Sequence, residues 1–507
     1  MFASASPSAA ILARPPPLCY TRRMTNVPDF QSKPPNLKSK VADRLPAAYR
    51  QALAVVADEA QRRSIGVYLV GGFVRDLLLD RPNLDIDIAV EGDAIAFATA
   101  VAAHLDAATA PPTNSKLKTQ NSKLLHPQFG TATVQQDDPP VQLDFASTRQ
   151  ESYAQPAALP TVSLVADIAT DLRRRDFTIN ALAIRLTDYT LVDPYGGLAD
   201  LNAGLIRVLH PASFVDDPTR IFRAVRYEQR LGFAIEPATL SLLHDAVVSG
   251  LIDRLSPDRL RHELEKIWRE ARAPAMFARL AELGILAVVD PALRWDEQLR
   301  HQCEAAAVAE PLTTRPLLHL PLLTYRLSDV EQQRVSERLN LDAATRALIK
   351  QMRQLREHLP DLLHAARRSD IYNLLHPYPD LVLLATTYAL APYGTGSVPA
   401  NATALDKINL YRRELAGIKP ELDGDYLTAL GLPPSKAYRQ MLDELGRAKL
   451  DGEVPTRAAE EALLQRLVAQ AKGELAWMAA TLVKHSTASP PSTTSSTPIT
   501  MRMLAST

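Results

Sequence analysis

One short segment near the N-terminal third constrains the fold more than any other part of the chain. Val67–Val70 is a β-type run, Gly71-Gly72 follows it directly, and a helical pattern begins there. A second β-type run, Ile86–Val90, comes next. Small residues at the start of a helix let anionic groups approach the backbone N–H groups. The segment therefore predicts a strand, a phosphate-binding turn, a helix and a second strand in close succession, although a plain tight turn also fits the two glycines.

Two carboxylates, Asp85 and Asp87, stand two residues apart at the second strand. Residues with this spacing on a strand point to one face, so the pair presents its carboxylates side by side. Adjacent carboxylates repel each other, and a divalent cation allows both to stay ionised. We predict that Asp85 and Asp87 bind Mg²⁺ for two-metal phosphoryl transfer, while a pair of solvated strand carboxylates is the alternative.

The helix between the two strands carries Arg75 and Asp76. Arg75 faces back toward the turn, where it either contacts phosphate or pairs with Asp76. The joint pattern of Gly-Gly-x-Val-Arg-Asp and Asp-x-Asp is too long to arise by chance in one chain. We therefore assign Gly71, Gly72 and Arg75 to a nucleotide-binding turn.

Composition and periodicity divide the 507 residues into five segments. They are a disordered N-terminus (1–40), an α/β head (41–195), a helical neck (196–272), a helical body and tail (273–485) and a disordered tail (486–507). Residues 111–126 contain two copies of Asn-Ser-Lys-Leu, which predicts a disordered insertion on a hairpin loop of the head. The expected fold class is α+β, with a mixed sheet in the head followed by an all-helical region.

The balance of 57 basic and 57 acidic residues indicates no polyanion partner and excludes none, because nucleic-acid binding requires only a local basic surface. Cys19 and Cys303 lack the spacing of a zinc site, and no apolar run reaches the roughly 18 residues needed to cross a bilayer. The first 28 residues hold three arginines and no acid, as in a transit peptide, but a start at Met24 fits equally and is the interpretation we favour. We expect a cytoplasmic protein.

A second polar motif, Arg174-Arg175-Asp176, precedes Asn180. The carboxylate of Asp176 can accept hydrogen bonds from ribose hydroxyls, and Arg175 can offset phosphate charge. Three arginines beside an aspartate also fit a solvated face.

A third motif begins at Asp217, which precedes a proline at the first position of a predicted helix. Arginines then recur at three- and four-residue steps, with only Glu228 against them: Arg220, Arg223, Arg226 and Arg230. This stripe predicts contact with a triphosphate or an RNA end, and a solvated face is the alternative. Asp217 itself is either a helix cap or a base-binding group.

Taken in order, these motifs resemble those of the DNA polymerase beta-like nucleotidyltransferases, specifically the class II tRNA nucleotidyltransferases and the bacterial poly(A) polymerases. The resemblance implies that Asp144, within Val141–Arg149, is a third catalytic carboxylate. It also implies that the Arg175 motif binds the incoming nucleotide, and that Asp217 and Arg220 pair with the Watson–Crick edge of its base.

Weaker similarities continue beyond these motifs. Asp193–Leu201 resembles the family's hinge between head and neck, with glycines that permit bending. Asp258-Arg259 and Glu263 resemble a neck motif that supports the base-reading helix. The resemblance assigns RNA binding to Arg230, Arg259 and the helical body.

The function implied is the addition of CCA, or part of it, to the 3′ end of tRNA from CTP and ATP, with Mg²⁺ as cofactor. The alternatives are a bacterial poly(A) polymerase, an enzyme that adds only CC or only A, and a non-catalytic RNA-binding protein. No membrane partner is expected, and the sequence leaves the oligomeric state open.

Overall fold

The computed structural model describes residues 36–109, 122–126, 130–393, 399–432 and 434–486. They fall into two compact units, the first ending at Asp342 and the second beginning at Ala343. The predicted disordered tail lies outside the described residues except for Ser486, which ends a helix. Within the described part of the chain, no helix combines the length and apolar character needed to span a membrane.

The first unit contains all eleven strands of the described residues. They are β1 (Val67–Val70), β2 (Asp87–Val90), β3 (Ser122–His126), β4 (Thr131–Asp137), β5 (Pro140–Ser147), β6 (Arg149–Ser152), β7 (Thr161–Leu164), β8 (Ala183–Arg185), β9 (Leu191–Val192), β10 (Leu205–Ile206) and β11 (Ala234–Ile235). Seven form one sheet in the order β3-β4-β5-β2-β1-β8-β9, in which only the β2–β5 pair is parallel. The mixed sheet expected for the head is confirmed.

Helices surround this sheet and fill the rest of the first unit. They are α1 (Leu37–Arg44), α2 (Ala47–Arg63), α3 (Gly72–Leu78), α4 (Ala94–Thr109), α5 (Ile168–Arg173), α6 (Gly197–Ala203), α7 (Ser213–Asp216), α8 (Thr219–Leu231), α9 (Pro237–Val248), α10 (Pro257–Trp268), α11 (Ala273–Glu282), α12 (Ile285–Val289), α13 (Glu297–Ala309), α14 (Arg315–Thr324) and α15 (Asp329–Arg338). Two 3₁₀ turns, Thr178–Asn180 and Leu251–Arg254, complete the unit.

The centre of the sheet is apolar on both faces, because helices cover both. On one face, α4 packs against β4 and β5, where Phe97 meets Phe145 at 6.0 Å between ring centroids. On the other face, Tyr68 and Val70 of β1 pack with Ile168 of α5. A strand buried on both sides reads as a continuous hydrophobic run, which is why Val67–Val70 was identifiable from the sequence alone.

The N-terminal boundary of the fold lies earlier than predicted. Disorder was expected through residue 40, but α1 begins at Leu37 and is capped by the side chain of Asn36. Leu37 and Val41 are buried, and the Lys40 ammonium donates to the Leu78 carbonyl. Burial of these apolar residues against the head orders a segment whose polar composition resembles a disordered tail.

The sequence predicted a disordered insertion at 111–126, but part of this segment is ordered in the structure. Residues 110–121 lie outside the described residues, whereas Ser122–His126 form β3. This strand pairs antiparallel with β4 from Ser122↔Gln135 to His126↔Thr131. The prediction is therefore wrong for the last five residues, since backbone pairing with β4 stabilises a strand that its own polar sequence does not indicate.

The neck helices pack against one another and against the helices that follow them. Helix α8 packs against α10 and α11, and α11 in turn contacts α12 and α13. This continuity carries the first unit through α15, well beyond the neck–body boundary predicted at residue 272.

The second unit consists of helices only within the described residues. They are α16 (Ala343–Glu357), α17 (Leu359–His364), α18 (Arg368–Leu375), α19 (Asp380–Leu390), α20 (Pro399–Arg413), α21 (Gly424–Ala429), α22 (Lys436–Leu450) and α23 (Arg457–Ser486), with a 3₁₀ turn at Leu415–Gly417. Its last three helices share an apolar cluster that includes Leu427, Leu445 and Leu464. The helical character predicted for this region is confirmed.

Candidate active site

Three carboxylates converge at the edge of the sheet where β2 begins. Asp87 and Asp144 are register partners in the parallel pair β2–β5, so they stand side by side on one face. Asp85 lies just before β2, and one oxygen from each of the three groups falls within 4.8 Å of the others. The structure thus brings together the predicted pair and the third carboxylate that the family resemblance suggested.

The charges of this triad, Asp85, Asp87 and Asp144, work against one another. Loss of hydration within the cleft and the neighbouring charge of Asp85 raise the pKa of Asp87 to about 6, despite the approach of Arg175. Asp144 is held in place by Thr133 Oγ1 at 2.5 Å and Gln142 Nε2 at 3.0 Å. Three neighbouring carboxylate oxygens in a polar cleft fit a hard divalent cation.

The glycine turn borders the triad closely. Gly71 has φ of +73°, and a Cβ there would lie 2.6 Å from Arg175 Nη1 and 3.8 Å from Asp87 Oδ2. Only glycine adopts this backbone conformation without strain and also leaves room for the guanidinium. The turn therefore places Arg175 directly beside the triad, as expected for a group that offsets phosphate charge.

Arg75 has the second of the two roles that the sequence allowed. Its side chain is 3% exposed, and it donates to Asp76 through Nε and Nη2, both at 2.9 Å. Its Nη1 donates to Asn180 Oδ1 at 2.6 Å. The guanidinium that we assigned to phosphate binding is thus occupied by protein groups.

Asp176 lines the same cleft as the triad and is 6% exposed. Both Nε and Nη2 of Arg223 donate to its Oδ2, at 2.7 and 2.5 Å, and Asn180 Nδ2 donates to its Oδ1 at 2.9 Å. Burial alone would raise the pKa of Asp176, but the charge of Arg223 and these hydrogen bonds outweigh it and lower the pKa to about 2. Asp176 is therefore a permanently ionised acceptor at neutral pH.

Two acidic residues that the sequence analysis missed hold the arginines of this motif. Asp171, 1% exposed, accepts from Arg174 Nε at 3.0 Å and lies 3.6 Å from Arg175 Nη2. Glu151 accepts from Arg174 Nη1 at 3.1 Å and from the Tyr153 hydroxyl at 3.0 Å. The four-residue spacing of Asp171 and Arg175 on a helical segment is the sequence signal that could have found the first of these contacts.

Asp217 and Arg220 meet at the start of α8. Asp217 Oδ1 accepts from the Thr219 backbone N–H at 3.1 Å and also from Arg259 Nη2 at 2.7 Å. Arg220 is 4% exposed, with Nη1 on Ser213 Oγ at 2.5 Å and Nη2 on the Arg174 carbonyl at 2.8 Å. The helix-cap and base-binding interpretations of Asp217 are compatible, because its Oδ2 takes no part in the cap.

Three of the four arginines in the α8 stripe are matched by acids from other elements, contrary to the sequence-based expectation. Arg223 pairs with Asp176, and Arg230 forms an ion pair with Glu270. Arg226 is nearly buried and lies 4.0 Å from Glu263 and 3.9 Å from Glu270. Only Glu228 was visible within the helix itself. Glu263 of α10 and Glu270, which follows α10 in the chain, approach the stripe because α10 packs against α8.

The predicted hinge glycines have a local packing reason. Gly196 caps α6 with φ of +72°, and a Cβ on Gly197 would lie 2.2 Å from the Thr178 carbonyl oxygen. Asp193 accepts from the Gly197 and Leu198 N–H groups at 2.7 and 2.9 Å. Close approach of α6 to the 178–180 turn therefore requires glycine at 197, and the hinge role remains a prediction.

Most of the predicted site residues open into one cleft with a volume of about 910 Å³. Its lining brings the triad together with Gly71, Arg175, Asp176, Asn180, Asp217, Arg220, Arg223, Arg230 and Arg259. Arg226 does not belong to the lining. The cleft also exposes Tyr153, His262 and Lys266, which no sequence motif singled out.

Comparison with known families gives two matches along the chain. The poly A polymerase head domain matches residues 67–207. The probable RNA and SrmB-binding site of polymerase A matches residues 232–295. The first range contains the triad and Asp176, and the second contains all of α10, including Arg259.

Similar proteins carry related descriptions. The A-adding tRNA nucleotidyltransferase of Geobacter sulfurreducens is 36% identical over 469 residues, which are 88% of this chain and 50% of that protein. The chain therefore spans about half the length of this curated relative.

Solved structures agree over most of the chain. The Thermotoga maritima CCA-adding enzyme complexed with tRNA has a TM-score of 0.67 at 28% identity, covering 86% of this chain and 98% of that one. A tRNA-processing enzyme with CTP has a TM-score of 0.59 at 30% identity, covering 78% of this chain and all of that one.

Proposed function

Because this chain belongs to the class II tRNA nucleotidyltransferase family, we propose that it transfers nucleotides from CTP and ATP to the 3′ end of tRNA. The observation that carries the proposal is the single cleft in which the triad, Asp176 and the Asp217–Arg220 pair all meet. Phosphoryl transfer, sugar binding and base selection require these three sites within the length of one nucleotide.

In the proposed reaction, the terminal ribose hydroxyl oxygen of the RNA attacks the α-phosphorus of the nucleotide. A phosphodiester bond forms, the bond from the α-phosphorus to the bridging oxygen breaks, and pyrophosphate leaves while the hydroxyl proton passes to solvent. The triad would hold Mg²⁺, which when bound supplies Lewis-acid activation and neutralises charge at the reacting phosphate. Arg175, beside Gly71, offsets the remaining negative charge.

The residues opposite the triad orient the nucleotide. The ionised carboxylate of Asp176 accepts a hydrogen bond from a ribose hydroxyl. Asp217 supplies Oδ2 as an acceptor, and Arg220 supplies the N–H hydrogens that its bonds to Ser213 Oγ and the Arg174 carbonyl do not use. These groups complement the amino group and ring nitrogen shared by cytosine and adenine. Uracil and guanine present the opposite pattern and would leave buried polar groups unpaired.

The test uses tRNAs that end before CCA, after C and after CC, each incubated with single labelled nucleotides. An enzyme of full CCA specificity adds C to the first two and A to the third. Extension of any RNA by ATP alone would instead identify a poly(A) polymerase. An RNA-binding protein would transfer nothing, and its tRNA affinity would be unchanged in Asp85→Ala.

A second candidate is an enzyme that adds only the terminal A. The Geobacter sulfurreducens relative, which matches 88% of this chain at 36% identity, is an A-adding enzyme, and this observation favours the second candidate. Such an enzyme would extend only the tRNA that ends in CC, and only with ATP. The same three-substrate experiment therefore separates both candidates.

A further inference from the structure

Arg75 is buried in the candidate site, and its guanidinium nitrogens bond to protein groups rather than to a ligand. The Arg75 guanidinium lies 5.0 Å from the centroid of the Tyr227 ring, within the range of a cation–π contact. Phe177 packs edge-on against that ring at 5.8 Å, which fixes its orientation. Arg75 therefore rests on a rigid aromatic surface contributed by α8.

One set of hydrogen bonds connects Arg75 to the triad. Arg75 donates two hydrogen bonds to the Asp76 carboxylate, and Asn83 Nδ2 donates to Asp76 Oδ2 at 2.9 Å. The backbone N–H of Asp85 then donates to Asn83 Oδ1 at 2.9 Å. Residues 81–86 form neither helix nor strand, so this series of hydrogen bonds supports the loop that contains Asp85.

A second set runs toward the sugar-side carboxylate. Arg75 Nη1 donates to Asn180 Oδ1 at 2.6 Å, and Asn180 Nδ2 donates to Asp176 Oδ1 at 2.9 Å. Asn180 uses both ends of its amide, one for each neighbour. Asn180 and Asp176 are 5% and 6% exposed, so these bonds are shielded from competing water.

We propose that Arg75 is a positioning residue that holds Asp85 and Asp176, and hence the metal and ribose subsites, at one fixed separation. The planar guanidinium is suited to this task because it donates in two directions at once from a rigid frame. A fixed separation keeps the α-phosphorus in line with the attacking hydroxyl while the ribose is bound. The proposal rests on the proposed function only in naming what the two carboxylates bind.

The test measures the two subsites separately in the full-length protein. Mn²⁺ binding is followed by electron paramagnetic resonance, and ATP and CTP binding by calorimetry in the presence of EDTA. The variants are Arg75→Lys, which keeps the charge but loses the fork, Asn83→Ala in the first arm, and Asn180→Ala in the second.

Arg334→Lys serves as the matched control. Arg334 also forms a two-pronged pair with a buried aspartate, Asp290, at 2.6 and 2.7 Å, but it does not line the cleft. It therefore reports the general cost of replacing a forked arginine, and both dissociation constants are expected to stay within about twofold of wild type.

Loss of groups that orient metal ligands costs about 10–100-fold in metal affinity. We therefore expect Arg75→Lys to weaken both Mn²⁺ and nucleotide binding by about tenfold. Asn83→Ala should weaken Mn²⁺ binding alone, and Asn180→Ala nucleotide binding alone. A merely structural role would shift both constants together in all three variants.

Two outcomes overturn the proposal. One is an Arg75→Lys protein in which only nucleotide binding, or neither constant, changes. The other is an Asn83→Ala protein with normal Mn²⁺ affinity, which decides the matter even if Arg75→Lys fails to fold. If the wild type binds both probes but transfers no nucleotide, the proposed function fails while the positioning role of Arg75 stands.

Discussion

Two acidic sites line one cleft, and the electrostatic surroundings of their carboxylates are opposite. At the triad, neighbouring carboxylates and the loss of hydration raise the pKa of Asp87 to about 6. At Asp176, the paired Arg223 holds the pKa at about 2. The negative charge of the triad is thus available to a bound cation, whereas the charge of Asp176 is already neutralised by Arg223.

This difference indicates what each site is built to bind. A carboxylate that already has an arginine partner can accept a hydrogen bond from a neutral hydroxyl, but it has little affinity left for a cation. Clustered carboxylates that are oriented without being neutralised, as Asp144 is by Thr133 and Gln142, retain that affinity. Four measurements test this difference between the triad and Asp176.

The largest effect is expected from Asp87→Ala. Transfer should fall on the order of 10⁴-fold, about 5.5 kcal/mol, because charge at the reacting phosphate would lose its stabilisation. The free energy of unfolding should stay level or rise, since the change removes one of three repelling charges. Single-turnover rates and urea unfolding measure the two quantities. Glu297→Ala, on an exposed helix face, is the control and should keep wild-type rates. Wild-type rates in Asp87→Ala would contradict the assignment of the triad to the reacting phosphate.

At the Asp176 site, Arg223→Met should lower the free energy of unfolding. The Asp176 carboxylate would stay buried without its cation, at a cost of about 4 kcal/mol. Urea unfolding at pH 7 measures the loss. The double variant with Asp176→Asn should recover much of it, because no buried charge then lacks a partner. A loss below about 1 kcal/mol would show that solvent reaches Asp176 freely.

Divalent cations should stabilise the protein through the triad alone. With Ca²⁺ present at 100 times its dissociation constant, the free energy of unfolding should rise by about 2.7 kcal/mol. The rise should vanish in Asp87→Ala and persist in Arg223→Met, as followed by thermal or urea unfolding with and without the ion. A rise that survives in Asp87→Ala would place the cation elsewhere.

The smallest effect concerns acid. The folded-state pKa of Asp176, about 2, lies below its unfolded value, so its ionisation stabilises the fold fully above about pH 4 and less as pH falls toward 2. The full contribution is about 2 kcal/mol, of which about 1 should disappear between pH 5 and pH 3. The difference in unfolding free energy between wild type and Asp176→Asn, measured at both pH values, reports it. A difference that grows on acidification would contradict the assigned pairing.

Much of the candidate site was predictable because its signals are local. Asp85 and Asp87 stand two residues apart where β2 begins, and the glycines before α3 indicate a tight turn. The short apolar runs of β1 and β2 likewise predicted two strands. Each of these inferences depends on backbone geometry over fewer than twenty residues, which the order of residue types alone determines.

What each charged group contacts was decided by the tertiary structure. Arg75 bonds to Asn180, 105 residues away, and the arginines of α8 find Asp176 and Glu270 on other elements. The same holds for α1 and β3, which owe their order to surfaces formed elsewhere in the chain. A sequence states which donors and acceptors exist, but only packing decides which of them are close enough to bond once water is excluded.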